Sequence, residues 1–322
     1  MFIDLTKKVI GTSKNIGYSS IERLVESLIL KVKGDPKDDS PQLFILGLPR
    51  SGTTLVYQYI VHRTHVAYFT NGVGNYPVCP CTTVLIQKMS NLPYHSDFKS
   101  HYGKVSGSMS PREAGSFWGW FFDLNAYQDL DNMDLKTVER LRRTVSCIQA
   151  LFDGAPFVNK NVKHMLRIDA LSKIFSKSHF LVIERDIKDV GISLLRGRKD
   201  LFGDYSSWLS VQPKNYEQLK GLDPVDQVVG QIKELRACMN KDLNKLDQKR
   251  VHRISYEEFC KNPDYVIDLI PEVFNNVKKK NGEVISFQVQ KEIASNEMEL
   301  RVLDRLNRIK EHVILGQCDC ER

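Results

Sequence analysis

The stretch LFILGLPRSGTTL, residues 43 to 55, limits the possible folds more than any other part of this chain. Four apolar residues, Leu43 to Leu46, suit a buried strand, and the run Leu55 to Ile60 suits the first turns of a helix. Between them lie Gly47, Pro49, Gly52, Thr53 and Thr54, residues of a tight turn. A helix that starts straight out of such a turn presents unpaired backbone N–H groups, a ready anion site. A nucleoside-triphosphate loop reads G-x-x-x-x-G-K-[ST]. Gly47, Gly52 and Thr54 fit that frame, but Thr53 occupies the lysine position and the cation, Arg50, precedes the second glycine. The loop is therefore expected to hold a phosphate-like anion without being built for ATP.

Downstream, apolar runs alternate with helical periodicity. Strands are expected at APFVNK, SHFLVIERD and RVHRIS, with helices from Asp134, over 164 to 175, from about 187 to 196, and from Pro224 to Leu246. This alternation predicts an α/β fold, a three-layer α/β/α arrangement with a central parallel sheet and helical insertions. We expect one domain over 1–322: an N-terminal helix (Ile21, Leu24, Val25, Leu28, Ile29) and linker over 1–40, a variable substrate-side insertion over 71–155, and a helical C-terminal segment over 280–322. Within the last, 289 to 315 reads as helical packing.

With 42% hydrophobic residues in 322, the chain can bury a full core. Lys and Arg number 46 against 39 Asp and Glu, giving +7, a balance that suits an anionic ligand but is too diffuse for nucleic acid. No apolar stretch reaches the length of a membrane span. The opening MFIDLTKKVIGTSKN lacks a signal-peptide core, which points to the cytoplasm. Seven cysteines, with Cys79-Pro80-Cys81 and Cys318-Asp319-Cys320 lacking C-x-x-C spacing, read as free thiols, and no metal cluster is legible.

In open parallel sheets, ligands bind beyond the carboxyl ends of the strands. Those ends carry Asn159-Lys160-Asn161, Glu184-Arg185-Asp186 and Ser255-Tyr256-Glu257. The loop P-R-S-G-T-T and the segment from Phe157 to Lys199 together resemble the superfamily of sulfotransferases that use 3′-phosphoadenylyl sulfate (PAPS), especially its tyrosylprotein branch. The resemblance spans about residues 42 to 275 and implies a P-loop-like fold and PAPS as donor, with 3′,5′-ADP as product. It implies that Arg50, Ser51, Gly52, Thr53 and Thr54 bind the phosphosulfate, that Arg185 and Ser193 bind the 3′-phosphate, and that Tyr256 lies near the adenosine. Lys160 matches the lysine that serves the leaving group, and Arg50 stands with it as a second catalytic cation.

The glutamate that the tyrosylprotein branch carries about twenty residues after the loop is missing from VAYFTNGVGN. Glu113, in SPREAGSFWGWFF, is the substitute base, by similarity to bacterial-type members, with a helix-capping role as its alternative. His95, His101 and His164 are other candidates. The implied acceptor is a hydroxyl or amine of a small molecule, glycan or lipid. Trp118, Trp120, Tyr205 and Trp208, in 71 to 125 and 200 to 222, are candidates for its pocket. A P-loop kinase, or a nucleotide-binding protein without sulfotransferase activity, is the other reading. The oligomeric state is not legible.

Overall fold

The computed structural model describes residues 20–35, 40–90, 94, 96–123, 126–280 and 285–314. Its centre is a four-stranded, all-parallel sheet of β1 (Gln42–Leu46), β2 (Phe157–Lys160), β3 (Ser178–Glu184) and β4 (Val251–Ser255), in the order β2-β1-β3-β4. The register pairs Ile45 with Lys160, Leu46 with Val182, and Glu184 with Ser255, so the carboxyl ends of the strands finish at one edge. β1 and β2 are buried along their whole length and β3 all but its last residue, as continuous apolar runs in a helix-covered parallel sheet should be. β4, at the edge, is only partly covered. Phe44 lies at the centre of an aromatic cluster with Trp118, Phe175 and Phe180.

Helices flank the sheet: α1 (Ser20–Lys33), α2 (Thr53–Arg63), α3 (Pro80–Met89), α4 (Leu135–Leu151), α5 (Ile187–Phe202), α6 (Pro224–Leu243), α7 (Tyr256–Lys261) and α8 (Glu297–Ile314), with shorter helical turns between. Their starts are written locally. Asp134, Asp186 and Asp223 each accept a backbone N–H in the first turn of α4, α5 and α6, and Ser255 with Glu258 forms a capping box on α7. Among the described residues, no helix is long and apolar enough to cross a membrane.

Three expectations change. The stretch from 164 to 175 divides into a 3₁₀ turn, Val162–Leu166, and a short helix, Ile168–Ile174. Residues 285–296 run without helix, and only from Glu297 does the chain become helical, with Val302 and Leu306 buried and Ile293 exposed. Most informative is α1, whose expected apolar face is largely turned outward: Ile21, Leu24 and Leu28 are exposed while Glu22 and Glu26 are buried. The cause is α3, whose first-turn donors Cys81 N, Thr82 N and Thr82 Oγ1 bond the Glu26 carboxylate at 3.1, 2.7 and 2.8 Å. A carboxylate at a helix N-terminus is favourable, and here it sets how α1 is rotated.

Candidate active site

The strand order puts a topological switch between β1, whose connection leads to one side, and β3, whose connection leads to the other. The loop after β1 and the first residues after β3 meet there. Gly52 has φ +90°, and a Cβ on it would come 2.4 Å from Tyr256 Cδ2; at Gly47, φ +157°, a Cβ would come 2.8 Å from the Ile183 carbonyl. Arg50 itself is held at φ +72°, a conformation that costs a non-glycine residue strain. Beyond Gly52, α2 starts with no side-chain cap: Leu55 N and Val56 N bond the Gly52 carbonyl at 3.0 and 3.3 Å, and Gly52, Thr53 and Thr54, at the very start of the helix, line the cavity. The Ser51 hydroxyl beside them is buried without a hydrogen-bond partner. Gly52→Ala is expected to cost more than about 1 kcal/mol of stability, since both backbone and Tyr256 oppose it, and to weaken anion binding; thermal unfolding with and without nucleotide checks both.

Arg185 leaves the end of β3 and donates from Nη1 to the Arg50 carbonyl at 2.9 Å, which braces the loop. Its guanidinium lies 4.9 Å from the centre of the Tyr256 ring. Its Nε is buried without a hydrogen bond, 3.8 Å from the Asp189 carboxylate. Arg50 lies over Tyr102, 4.7 Å from the ring centre, and donates from Nε to Ser193 Oγ at 3.0 Å. Burial lowers the Arg50 pKa, yet a guanidinium stays charged. Burial also pushes the Tyr256 phenol up to about 12, so it remains a neutral ring at pH 7. Ser193, expected beside Arg185, is buried under Arg50 and does not line the cavity.

At the end of β2, Lys160 is almost fully buried and donates to Thr54 Oγ1 at 3.1 Å and to the Glu113 carboxylate. Glu113 reaches it because residues 112 and 113 are strapped to this strand end. Asn159 Nδ2 donates to the Arg112 carbonyl at 3.3 Å and Asn161 Nδ2 to the Glu113 carbonyl at 3.1 Å. Ala114 then turns left-handed, φ 50°, and only Gly115–Trp118 is helical, so Glu113 faces the cavity instead of capping a helix. Gly103 closes over the pair; a Cβ there would lie 3.1 Å from Glu113 Oε1.

The cavity, about 760 Å³, brings together Arg50, Gly52, Thr53, Thr54, Glu113, Lys160, Arg185 and Tyr256. Of the other base candidates, His164 is fully buried, its Nε2 2.8 Å from Asn159 Oδ1, and burial drives its pKa well down, so it serves the core as a neutral ring. His101 is exposed and outside the cavity wall, and His95 lies outside the described residues. The four proposed acceptor aromatics do not line the cavity: Trp118 is core, Trp120 faces away exposed, and Tyr205 and Trp208 pack against Lys199 and Arg198.

The wall is made instead by Phe98, Tyr102, Gly103, Leu209, Phe287 and Gln290. None of the six was singled out in the sequence, although Phe98, Tyr102, Gly103 and Leu209 fall within the stretches 71 to 125 and 200 to 222 expected to build the pocket; Phe287 and Gln290 lie outside them. The alternation I-S-F-Q-V-Q over 285 to 290 was the signal for an extended segment at Phe287. That segment is tied down by Phe287 N to the Cys260 carbonyl at 2.9 Å, by Arg185 to the Gln290 carbonyl, and by Glu292 N to Asp189 at 2.9 Å.

The model of the sulfotransferase family matches residues 41–275. No curated protein matches the chain significantly. Among solved structures, it is similar to the sulfotransferase STF1 from Mycobacterium tuberculosis H37Rv, 13% identical over 90% of this chain and 82% of that one, TM-score 0.47. It is also similar to sulfotransferase STF9 from Mycobacterium avium, 16% identical over 95% and 87%, TM-score 0.44. A third is the sulfotransferase domain from the curacin biosynthetic pathway, 15% identical over 83% and 98%, TM-score 0.42. The family match runs from the start of β1 past the end of α7, through the loop, both arginines and the lysine, and the chain belongs to the sulfotransferase family.

Proposed function

We propose that this sulfotransferase takes PAPS as donor and transfers the sulfuryl group by in-line displacement to a hydroxyl or amine of a small-molecule, glycan or lipid acceptor. The observation that carries the reading is the meeting in one cavity of an uncapped helix start, two arginines and a buried lysine paired with a carboxylate. The residues fit a doubly anionic ligand. Arg50, Lys99, Lys160 and Arg185 line the cavity against a single carboxylate, Glu113, and the buried Ser51 hydroxyl and Arg185 Nε are donors without acceptors.

When bound, PAPS supplies the sulfuryl group and a phosphate that departs with developing charge. The first turn of α2, Ser51 and Arg50 hold the phosphosulfate end. Arg185 binds the 3′-phosphate, and Tyr256, beneath its guanidinium, flanks the adenosine. Ser193 contributes by aiming Arg50 through their hydrogen bond. Lys160 donates to the leaving oxygen, where charge grows only in the transition state. Glu113 takes the proton of the acceptor at its carboxylate. The acceptor enters past Phe98, Tyr102 and Leu209. We assign the whole chain to one sulfotransferase domain, with the segment after 285 completing the wall. A cytoplasmic setting is supported by the five described cysteines, all free thiols.

Thermal shift tests the donor: 3′,5′-ADP should stabilise the protein more than 5′-ADP does, without added metal. Arg185→Ala should erase most of that difference, a loss of about 1.5–3 kcal/mol for a charge-assisted contact. Equal shifts for the two nucleotides would sink the assignment. Labelled sulfate transfer across an acceptor panel then identifies the acceptor.

A further inference from the structure

At the other end of the sheet from the cavity, two histidines sit near the amino-terminal ends of neighbouring strands. His179 is the second residue of β3 and His252 the second of β4, where the register sets His252 opposite Leu181. They are diagonal neighbours two positions apart, so their side chains leave the same face. Their rings lie nearly parallel, 28° apart with centroids at 5.3 Å, and His179 Nδ1 is 3.0 Å from His252 Nε2. Glu272, on the turn Pro271–Phe274, brings a carboxylate oxygen, and one ligand atom from each of the three residues lies within 4.8 Å of the others. His179 is buried, His252 partly buried and Glu272 exposed, so the cluster has a closed floor and an open mouth.

We propose that His179, His252 and Glu272 form a site for a divalent transition-metal ion of the zinc class. Two imidazole nitrogens on one tetrahedral zinc, with bonds of about 2.0–2.1 Å, stand about 3.3 Å apart. The observed nitrogens are within a few tenths of an ångström of that spacing, and they are ring nitrogens turned toward each other, not edges passing by. The neighbouring cation, Arg250, is turned away into the carbonyls of Ser172, Phe175 and Ser178 and does not occupy the mouth. Two nitrogens and one oxygen suit zinc, cobalt, nickel or copper ions and are poor ligands for magnesium or calcium. Water from the open side completes the fourth position. The ion would join β3, the edge strand β4 and the turn after α7, so it stabilises the very strands whose far ends carry Arg185 and Tyr256.

The test uses tag-free, chelator-stripped full chain titrated with Zn²⁺ by calorimetry and with Co²⁺ by visible absorption. One equivalent should bind, with tetrahedral cobalt bands free of thiolate charge transfer, and saturating Zn²⁺ should raise the melting temperature. His252→Ala should abolish binding. Glu272→Gln, at an exposed position that leaves the fold intact, should weaken it at least about tenfold. Absence of binding, a thiolate band, or unchanged affinity in Glu272→Gln would overturn the proposal and leave the histidines as a hydrogen-bonded pair. Because no catalytic group is touched, the readout does not depend on sulfotransfer.

Discussion

Glu113→Gln should lower turnover by roughly 10²–10⁴-fold, the usual worth of a general base, while binding of 3′,5′-ADP stays within a few-fold of the parent. The substitution keeps the size of the side chain and removes the ability to take a proton together with the negative charge that pairs with Lys160. Its neighbours are already in place: Lys160 binds the carboxylate, Asn161 holds the residue's carbonyl, and Gly103 leaves room above it. Turnover measured as labelled sulfate transfer, beside nucleotide affinity by calorimetry, separates chemistry from binding. Normal turnover in Glu113→Gln, with loss in His101→Ala, would move the base to the histidine and leave the donor site standing.

Lys160→Ala should lower kcat by about 10²–10³-fold, the range for removing one donor aimed at developing charge, with a much smaller change in the KM for PAPS. A buried ammonium 3.1 Å from Thr54 and paired with Glu113 has no other exposed work to do at this strand end. Since Lys160 and Glu113 touch, the double variant should lose far less than the product of the two single losses. Full additivity would mean that the two act in separate steps. A loss confined to PAPS affinity would make Lys160 a binding residue only.

The sequence by itself determined the parallel sheet, because continuous apolar runs closed by helical periodicity leave few other ways to bury both faces of β1, β2 and β3. It also determined the loop at residues 47 to 52, since Gly52 has no space for a Cβ and no freedom to change φ. Strand-end positions of Lys160 and Arg185 were legible for the same reason: their place depends on local register, and local pattern records it. Contacts between distant segments left no periodic trace. Nothing within α1 announces that Glu26 will cap α3, an interaction across 55 positions that turns the helix's apolar face outward. Tyr102, Gly103 and Phe287 reach the cavity from segments without regular structure, held by single hydrogen bonds and ring contacts. His179, His252 and Glu272 are ordinary residues in the chain and become a cluster only when two parallel strands and a later turn meet. Which Ser193 partner wins, Arg185 or Arg50, was likewise decided by side-chain packing around the crossing of α5 and the loop, because spacing sets the helix face but not the neighbour.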